Sequence, residues 1–304
     1  MKKYLILAAF LVLVFASVFS VFGLTVTSPT GGWQNSKAIE FKLTAESESN
    51  FHYIADISSN KPWILLCKDT KECVKRVNSA PIKEGVNMIS IKAVNSTGST
   101  INQSIEVKID STKPVISEVS PKSGFATGNF TAKIIEENLN KTTARLKYKT
   151  AIGKIQDAST TCDGPENKKQ NCSAYIDLDA YDGKEIVYWF EATDMAGNKA
   201  VSKKTSLKVD ITKPVIKYSN FSSTRFSDKY DIATFILDID EANFKNVSYQ
   251  DNGSKWIVLC NSLKNGRCVA KAKFAKGEHD LIVRVSDKAG NTFDDTLSEY
   301  TFTI

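Results

Sequence analysis

Beyond residue 24 the chain alternates apolar and polar residues in short runs that end in turn-forming clusters. Ile39-Glu40-Phe41-Lys42-Leu43, Phe130-Thr131-Ala132-Lys133-Ile134 and Ala233-Thr234-Phe235-Ile236-Leu237 carry apolar residues at alternate positions. A period of two is the mark of a strand with one buried face. Three later runs have the same character: Met88-Ile89-Ser90-Ile91-Lys92-Ala93, Ile186-Val187-Tyr188-Trp189-Phe190 and Leu281-Ile282-Val283-Arg284-Val285. A glycine precedes each of them, at Gly85, Gly183 and Gly277. No stretch after residue 24 shows helical periodicity.

These runs fall into three copies of one unit. Each unit's central apolar strand ends in a turn: Asn95-Ser96-Thr97-Gly98-Ser99, Asp194-Met195-Ala196-Gly197-Asn198 and Asp287-Lys288-Ala289-Gly290-Asn291. The leading Asp or Asn can bond back onto the turn, and the glycine takes a positive φ at little cost. A closing strand follows: Ile105–Ile109, Ser206–Val209 and Tyr300–Ile304. The first two copies then run into Asp110-Ser111-Thr112-Lys113-Pro114 and Asp210-Ile211-Thr212-Lys213-Pro214. Proline holds the preceding residue extended, so these junctions are short and semi-rigid. Many short strands with regular turns, in copies of about 90–100 residues, predict antiparallel β-sandwiches. The expected domains are 24–112, 113–212 and 213–304.

The strand, D-x-A-G-N, strand, D-x-T-K-P pattern resembles the immunoglobulin-like (Big-type) repeats of bacterial and archaeal surface proteins. It covers almost the whole chain after the leader. The first copy departs from it, with Asn95-Ser96-Thr97-Gly98 where the others have D-x-A-G. The resemblance implies an all-β chain of three tandem Ig-like antiparallel sandwiches and a surface role. It specifies no single function.

Residues 1–23 stand apart. Lys2 and Lys3 precede an apolar run from Tyr4 to Phe22. Positive charge followed by an apolar stretch reads as a secretory signal, but this run approaches the ~20 residues that span a bilayer. Cleavage before Leu24, cleavage after Ser20, and retention as an anchor helix all remain open. Each places the rest of the chain outside the cytoplasm.

Six cysteines agree with export, two per copy: Cys67 and Cys73, Cys162 and Cys172, Cys260 and Cys268. An even count in close pairs in an exported chain reads as disulfides, although six cysteines admit fifteen pairings. The repeat favours the local ones, closing a projecting hairpin in each copy. Each such loop is worth about 2–3 kcal/mol. The spacings are wider than C-x-x-C, and His52 and His279 are the only histidines. Redox and zinc chemistry therefore lack their usual residues.

The formal charge of +6 falls to +4 without Lys2 and Lys3, and it is spread along the chain. Nucleic-acid binding wants a clustered basic face, so none is expected. Eight Asn-x-Ser/Thr sequons, at Asn95, Asn102, Asn129, Asn140, Asn171, Asn220, Asn246 and Asn252, are glycosylation candidates. Trp33, after Gly31-Gly32, is the candidate for carbohydrate contact. Trp63, Trp189 and Trp256 are expected in core or hairpin packing. Asp238, Asp240 and Glu241 are weak calcium candidates, with single carboxylates at Asp110, Asp194, Asp210 and Asp287. Calcium takes about 6–8 oxygens, more than these spacings offer. No metal or other cofactor is expected.

No H-E-x-x-H, G-x-S-x-G or P-loop occurs, and nothing nominates a carboxylate pair for hydrolysis. The sequence thus predicts a non-enzymatic, exported, surface-located protein of tandem Ig-like domains, acting as a spacer, an adhesive or an envelope-structural module. Its partner would be an envelope component, a surface protein or a glycan. The alternative is a dedicated binding module for an envelope polysaccharide or a protein receptor.

Overall fold

The computed structural model describes residues 22–55, 62–78, 82–164, 168–227, 229–296 and 300–303. The expected signal or anchor helix over Tyr4–Phe22 lies outside these residues, except for Phe22. Among the described residues no helix is long and apolar enough to cross a membrane. The fold there is all-β, with two single-turn 3-10 segments. The chain divides between Thr112 and Lys113 into two compact units.

The first unit is built on one long strand. β1 (Leu24–Ser28), β2 (Gly32–Gln34), β3 (Ala38–Ala55), β4 (Ile64–Asn78), β5 (Gly85–Asn95) and β6 (Thr100–Ile109) pair in the order β1-β3-β5-β6-β2, with β4 also on β3. The first half of β3 pairs with β1 and the end of β4, and its second half with the start of β4 and with β5. Register shifts between Thr44 and His52 mark the change. One strand thereby serves two layers. Ile39, Phe41 and Leu43 from its first half share a core with Phe51 and Tyr53 from its second, closed by Ile89, Ile91 and Val107. The rings of Phe41 and Tyr53 lie 5.0 Å apart.

The second unit holds the other two repeats. In the middle repeat β7 (Val115–Ser120), β8 (Phe125–Ala126), β9 (Asn129–Ile135), β10 (Arg145–Thr150), β11 (Gln156–Ser159), β12 (Thr161–Cys162), β13 (Lys169–Tyr175), β14 (Glu185–Thr193), β15 (Lys199–Val201) and β16 (Thr205–Val209) form two sheets. Their orders are β11-β10-β14-β16-β8 and β12-β13-β9-β7, with β15 on β14. Ile186, Tyr188 and Phe190 point inward from β14 and meet Phe130, Leu146 and Leu207. The Tyr188 hydroxyl donates to Pro121 O at 2.6 Å, and burial pushes this phenol up to about 12.

The last repeat splits between β17 (Val215–Arg225), β18 (Tyr230–Asp240) and β21 (Arg267–Ala275) in one sheet, and β19 (Phe244–Asp251), β20 (Ile257–Cys260), β22 (Glu278–Asp287) and β23 (Thr292–Asp295) in the other, with β24 (Thr301–Thr303) on β22. A three-stranded sheet and a five-stranded sheet, all antiparallel, pack face to face as a β-sandwich. Its core joins Phe235, Leu237, Tyr249, Val283 and Tyr300, with Phe221 edge-on to Phe235 and Tyr300.

The structure pairs Cys67 with Cys73, Cys162 with Cys172 and Cys260 with Cys268. Cys162–Cys172 closes the β12–β13 hairpin as expected, whereas the other two bridges do not close a simple hairpin. Each sits where the chain passes from one sheet or layer to the other. Cys260 is on β20 and Cys268 on β21, in opposite sheets. Cys67 and Cys73 flank the change of layer along β4. Cys162 and Cys172 are paired neighbours on β12 and β13, just after the chain leaves β11 in the facing sheet. The second cysteine of each pair is buried, Cys73 and Cys268 fully.

Candidate functional site

The D-x-A-G-N turn of the last repeat contributes to a group of three carboxyls in the second unit. Asp287 ends β22 with no exposed surface. Its Oδ1 accepts the N–H groups of Gly290 and Asn291 at 2.6 and 2.8 Å, and its Oδ2 accepts Asn291 Nδ2 at 2.8 Å. This is the side-chain-to-backbone turn that Asp favours. Gly290, at φ 98°, supplies the left-handed residue the turn needs. Asn291 Nδ2 also lies 3.1 Å from the carbonyl oxygen of Asp210, to which it donates.

Two more carboxyls meet Asp287. Asp210 follows β16 and Glu241 follows β18, and one oxygen from each of the three lies within 4.8 Å of the others. Asn243 holds both newcomers. Its Nδ2 donates to Asp210 Oδ2 at 2.6 Å, and its N–H donates to Glu241 Oε1 at 2.6 Å. Its carbonyl accepts the Lys288 N–H at 2.8 Å, which ties the group back to the Asp287 turn. Burial, then the neighbouring Asp287, holds both Asp210 and Glu241 above the usual carboxylate range. Three acidic side chains, two of them over nine-tenths buried, offer a hard cation oxygen ligands from the ends of three strands.

This grouping differs from the sequence expectation. Asp238 and Asp240 lie elsewhere: Asp238 binds Arg267 through two bonds, at 2.5 and 2.9 Å, and Asp240 pairs with Lys217 at 2.7 Å. Only Glu241 of the three joins the cluster. Asn243 and Asn291 were outside the expected set. The recurring E-x-N of Glu136-Glu137-Asn138 and Glu241-Ala242-Asn243 was the available signal. In the middle repeat the Asn138 N–H donates to Glu136 Oε1 at 2.8 Å, and Asn198 binds Asp194 through its N–H and Nδ2. The two repeats thus share this turn and its acidic neighbour.

Each unit also contains a polar anchor for its outgoing strand. Glu84 accepts the Ser111 N–H at 3.1 Å and the Ser111 hydroxyl at 2.5 Å. Asp182 accepts the Ile211 N–H at 3.0 Å and the Thr212 hydroxyl at 2.5 Å. These bonds hold both carboxyls below the usual range.

The tryptophans share one setting. Lys108 lies over Trp33 (5.7 Å to the ring centroid), Lys92 over Trp63 (4.5 Å), Lys204 over Trp189 (4.7 Å) and the Arg284 guanidinium over Trp256 (4.0 Å). Trp33 lies in β2, not in a loop, so one ring face is already engaged. Trp189 is 4% exposed but alternates with the inward Tyr188 and Phe190, which places it on the outer face of β14.

The sequons divide by the state of their amide. Asn171 Nδ2 donates to Asp163, Asn220 Nδ2 to the Tyr218 hydroxyl and Asn252 Nδ2 to Glu278 O. Asn102 and Asn129 stand exposed on β6 and β9. Asn95 and Asn140 accept hydrogen bonds through Oδ1, and Asn246 is half-buried on β19.

No protein-family model and no curated protein matches the chain. Among solved structures, the FN1–FN3 domains of chicken CNTN1 are similar over 90% of this chain and 97% of their own, at 11% identity and TM-score 0.43. The fibronectin(III)-like modules of Clostridium thermocellum CbhA cover 62% of this chain and 94% of their own, at 16% identity and TM-score 0.38. A tetra-tandem repeat in the extending region of a large adhesion protein covers 91% and 73%, at 14% identity and TM-score 0.31.

Proposed function

We propose that the chain is a non-enzymatic, exported surface protein of three tandem Ig-like sandwiches, 24–112, 113–212 and 213–304, that acts as a spacer or adhesive module. The observation that carries this reading is the repeated anchoring of the outgoing strand. Glu84 grips Ser111, and Asp182 grips Ile211 and Thr212, each ahead of a Lys-Pro junction. A chain that leaves its sandwich under two hydrogen bonds, and then meets proline, departs in a restricted direction. Spacers need that property; a hydrolase does not. The three disulfides support an oxidising location.

On this reading Tyr4–Phe22 directs export, cleaved or retained as an anchor, and the exposed sequons Asn102 and Asn129 are the first sites to carry glycan. Fractionation of the producing cell, with intact-mass analysis of the recovered chain, tests it. Recovery in envelope or medium with oxidised cysteines is the expected result. A cytoplasmic, reduced protein would overturn the proposal.

A second reading, a dedicated binding module for an envelope polysaccharide or a protein receptor, is favoured by apolar side chains beside the bridges. Val74, Val258 and Val269 are 68, 56 and 59% exposed. Binding of residues 24–304 to envelope fractions, lost on Val258→Asp or Val269→Asp, would select it over the spacer.

A further inference from the structure

The chain contains two Asn-Gly pairs, Asn252-Gly253 and Asn265-Gly266, and both fall in tight turns of the last repeat. Asn252 and Asn265 have φ values of 46 and 53°, and Gly253 and Gly266 of 71 and 77°. These are the left-handed pairs of a type I′ turn. Two backbone bonds hold each turn. Asn252 N–H donates to Asp280 O and Ser254 N–H to Asp251 O, both at 2.9 Å. Lys264 and Arg267 exchange bonds of 2.9 and 3.0 Å across the other.

The side chains differ. Asn252 is held at both ends: Nδ2 donates to Glu278 O at 2.8 Å, and Oδ1 accepts the Asp280 N–H at 3.2 Å. Asn265 is exposed, and its amide makes no hydrogen bond among the described residues. It lies in the loop closed by Cys260–Cys268 and lines a shallow groove with Ser262, Leu263, Lys264 and Arg267.

We propose that Asn265 is a site of spontaneous self-modification, deamidation through a succinimide, and that the fold protects Asn252 from the same reaction. The Gly266 backbone nitrogen, freed of its proton, attacks Asn265 Cγ. The N–Cγ bond forms, the Cγ–Nδ2 bond breaks, and ammonia leaves with the proton. Water then opens the ring. Attack at Cγ gives aspartate, and attack at the main-chain carbonyl gives isoaspartate. Water enters, ammonia departs, and nothing is oxidised or reduced. Glycine permits the step because it has no side chain to crowd the attacking nitrogen. Both turns must open for it, but only Asn252 must also release two side-chain bonds.

The product places a carboxylate between Lys264 and Arg267. The isoaspartyl form also routes the main chain through Cβ, which lengthens the two-residue turn and breaks its reciprocal pairing. Arg267, bonded to Asp238, sits at that pairing. The groove beside the last disulfide would therefore change charge and shape with the age of the molecule.

The test is incubation of the full oxidised chain, made in a host without N-glycosylation, at mildly alkaline pH, followed by peptide mapping that separates aspartyl from isoaspartyl products. Conversion at Asn265 should run about tenfold faster than at Asn252, the ratio that two modest net hydrogen bonds give. A reduced sample in urea should convert both sites at similar rates, and Asn265→Gln should abolish the fast phase alone. Equal rates in the folded chain would overturn the proposal. So would a difference that persists in urea, because the fold would then not be its cause.

Discussion

Asn243 Nδ2 donates to Asp210 Oδ2 at 2.6 Å, across 33 residues of sequence. This one bond joins the strand leaving the middle repeat to the loop that opens the sheet of β19 in the last. Asn291 adds a second bond to the Asp210 carbonyl at 3.1 Å. Asn243→Ala should leave Asp210 without its donor and loosen this junction, at a cost of roughly 1–3 kcal/mol for the unsatisfied carboxylate. Hydrogen exchange should then speed up at Ile211 and Lys288 while β14 and the strands of the first unit stay protected. Unchanged exchange at both positions would rule the bond out as a clasp.

Asp210 and Glu241 give the second unit an unusual pH response. Both are held above the usual carboxylate range, first by burial. A carboxyl raised by folding binds its proton more tightly in the folded chain. Its contribution to stability is present below the unfolded pKa and is lost as pH rises through the folded one. Asp182, Asp238 and Asp294 are lowered by their hydrogen-bond partners, so their contribution is present at neutral pH and is lost as pH falls through their folded values. Stability should therefore rise on mild acidification from neutrality and fall in stronger acid. Thermal unfolding of the full chain across this range, followed through Trp256 fluorescence, checks it. Asp210→Asn with Glu241→Gln should be more stable than the parent at neutral pH and should lose the rise. A parent curve that only declines from neutral pH downward would contradict the assignment.

The last disulfide should matter more than a hairpin staple would. Cys260 and Cys268 belong to opposite sheets, and Cys268 is fully buried. Cys260→Ala with Cys268→Ala should cost about 2–3 kcal/mol from the lost loop constraint. Removal of the buried sulfur from the Phe235 and Val283 core adds to that. Chemical denaturation should show the loss in the last repeat. A change below a few tenths of a kcal/mol would place the bridge outside the stabilising core.

Phe22 packs against the core of the first unit alongside Leu24 and Val26. Processing before Leu24 would discard that contact, whereas processing after Ser20 would keep it. N-terminal analysis of secreted protein should find Val21 at the start if the leader is cleaved. A chain beginning at residue 24 should be less stable than one beginning at residue 21 by roughly 1 kcal/mol of lost apolar burial. Equal melting of the two would remove the argument.

Tyr188 anchors the middle sandwich through its hydroxyl bond to Pro121 O. Tyr188→Phe keeps the ring contact with Phe130, 4.6 Å between centroids, and loses the hydroxyl's bonds with Pro121 O and Thr205. The expected cost is about 1 kcal/mol by denaturant unfolding.

Sequence alone determined the alternating strands and the turns between them. Alternation at period two marks Ile39–Leu43 and Ala233–Leu237 because a half-buried strand admits no other pattern. The D-x-A-G-N turns are legible for a similar reason: Asp287 bonds to residues three and four places on, so the whole interaction lies within one short window. The tertiary structure decided what sequence spacing cannot encode. Asp210, Glu241 and Asp287 converge from the ends of three strands far apart in sequence, while Asp238 and Asp240, beside Glu241 in sequence, turn to Arg267 and Lys217. Successive side chains on a strand point to opposite faces, so neighbours in sequence need not share a site. The last cysteine pair behaves likewise. Its close spacing suggested a hairpin, but only the pairing of β20 and β21 into different sheets makes Cys260–Cys268 a bridge across the sandwich.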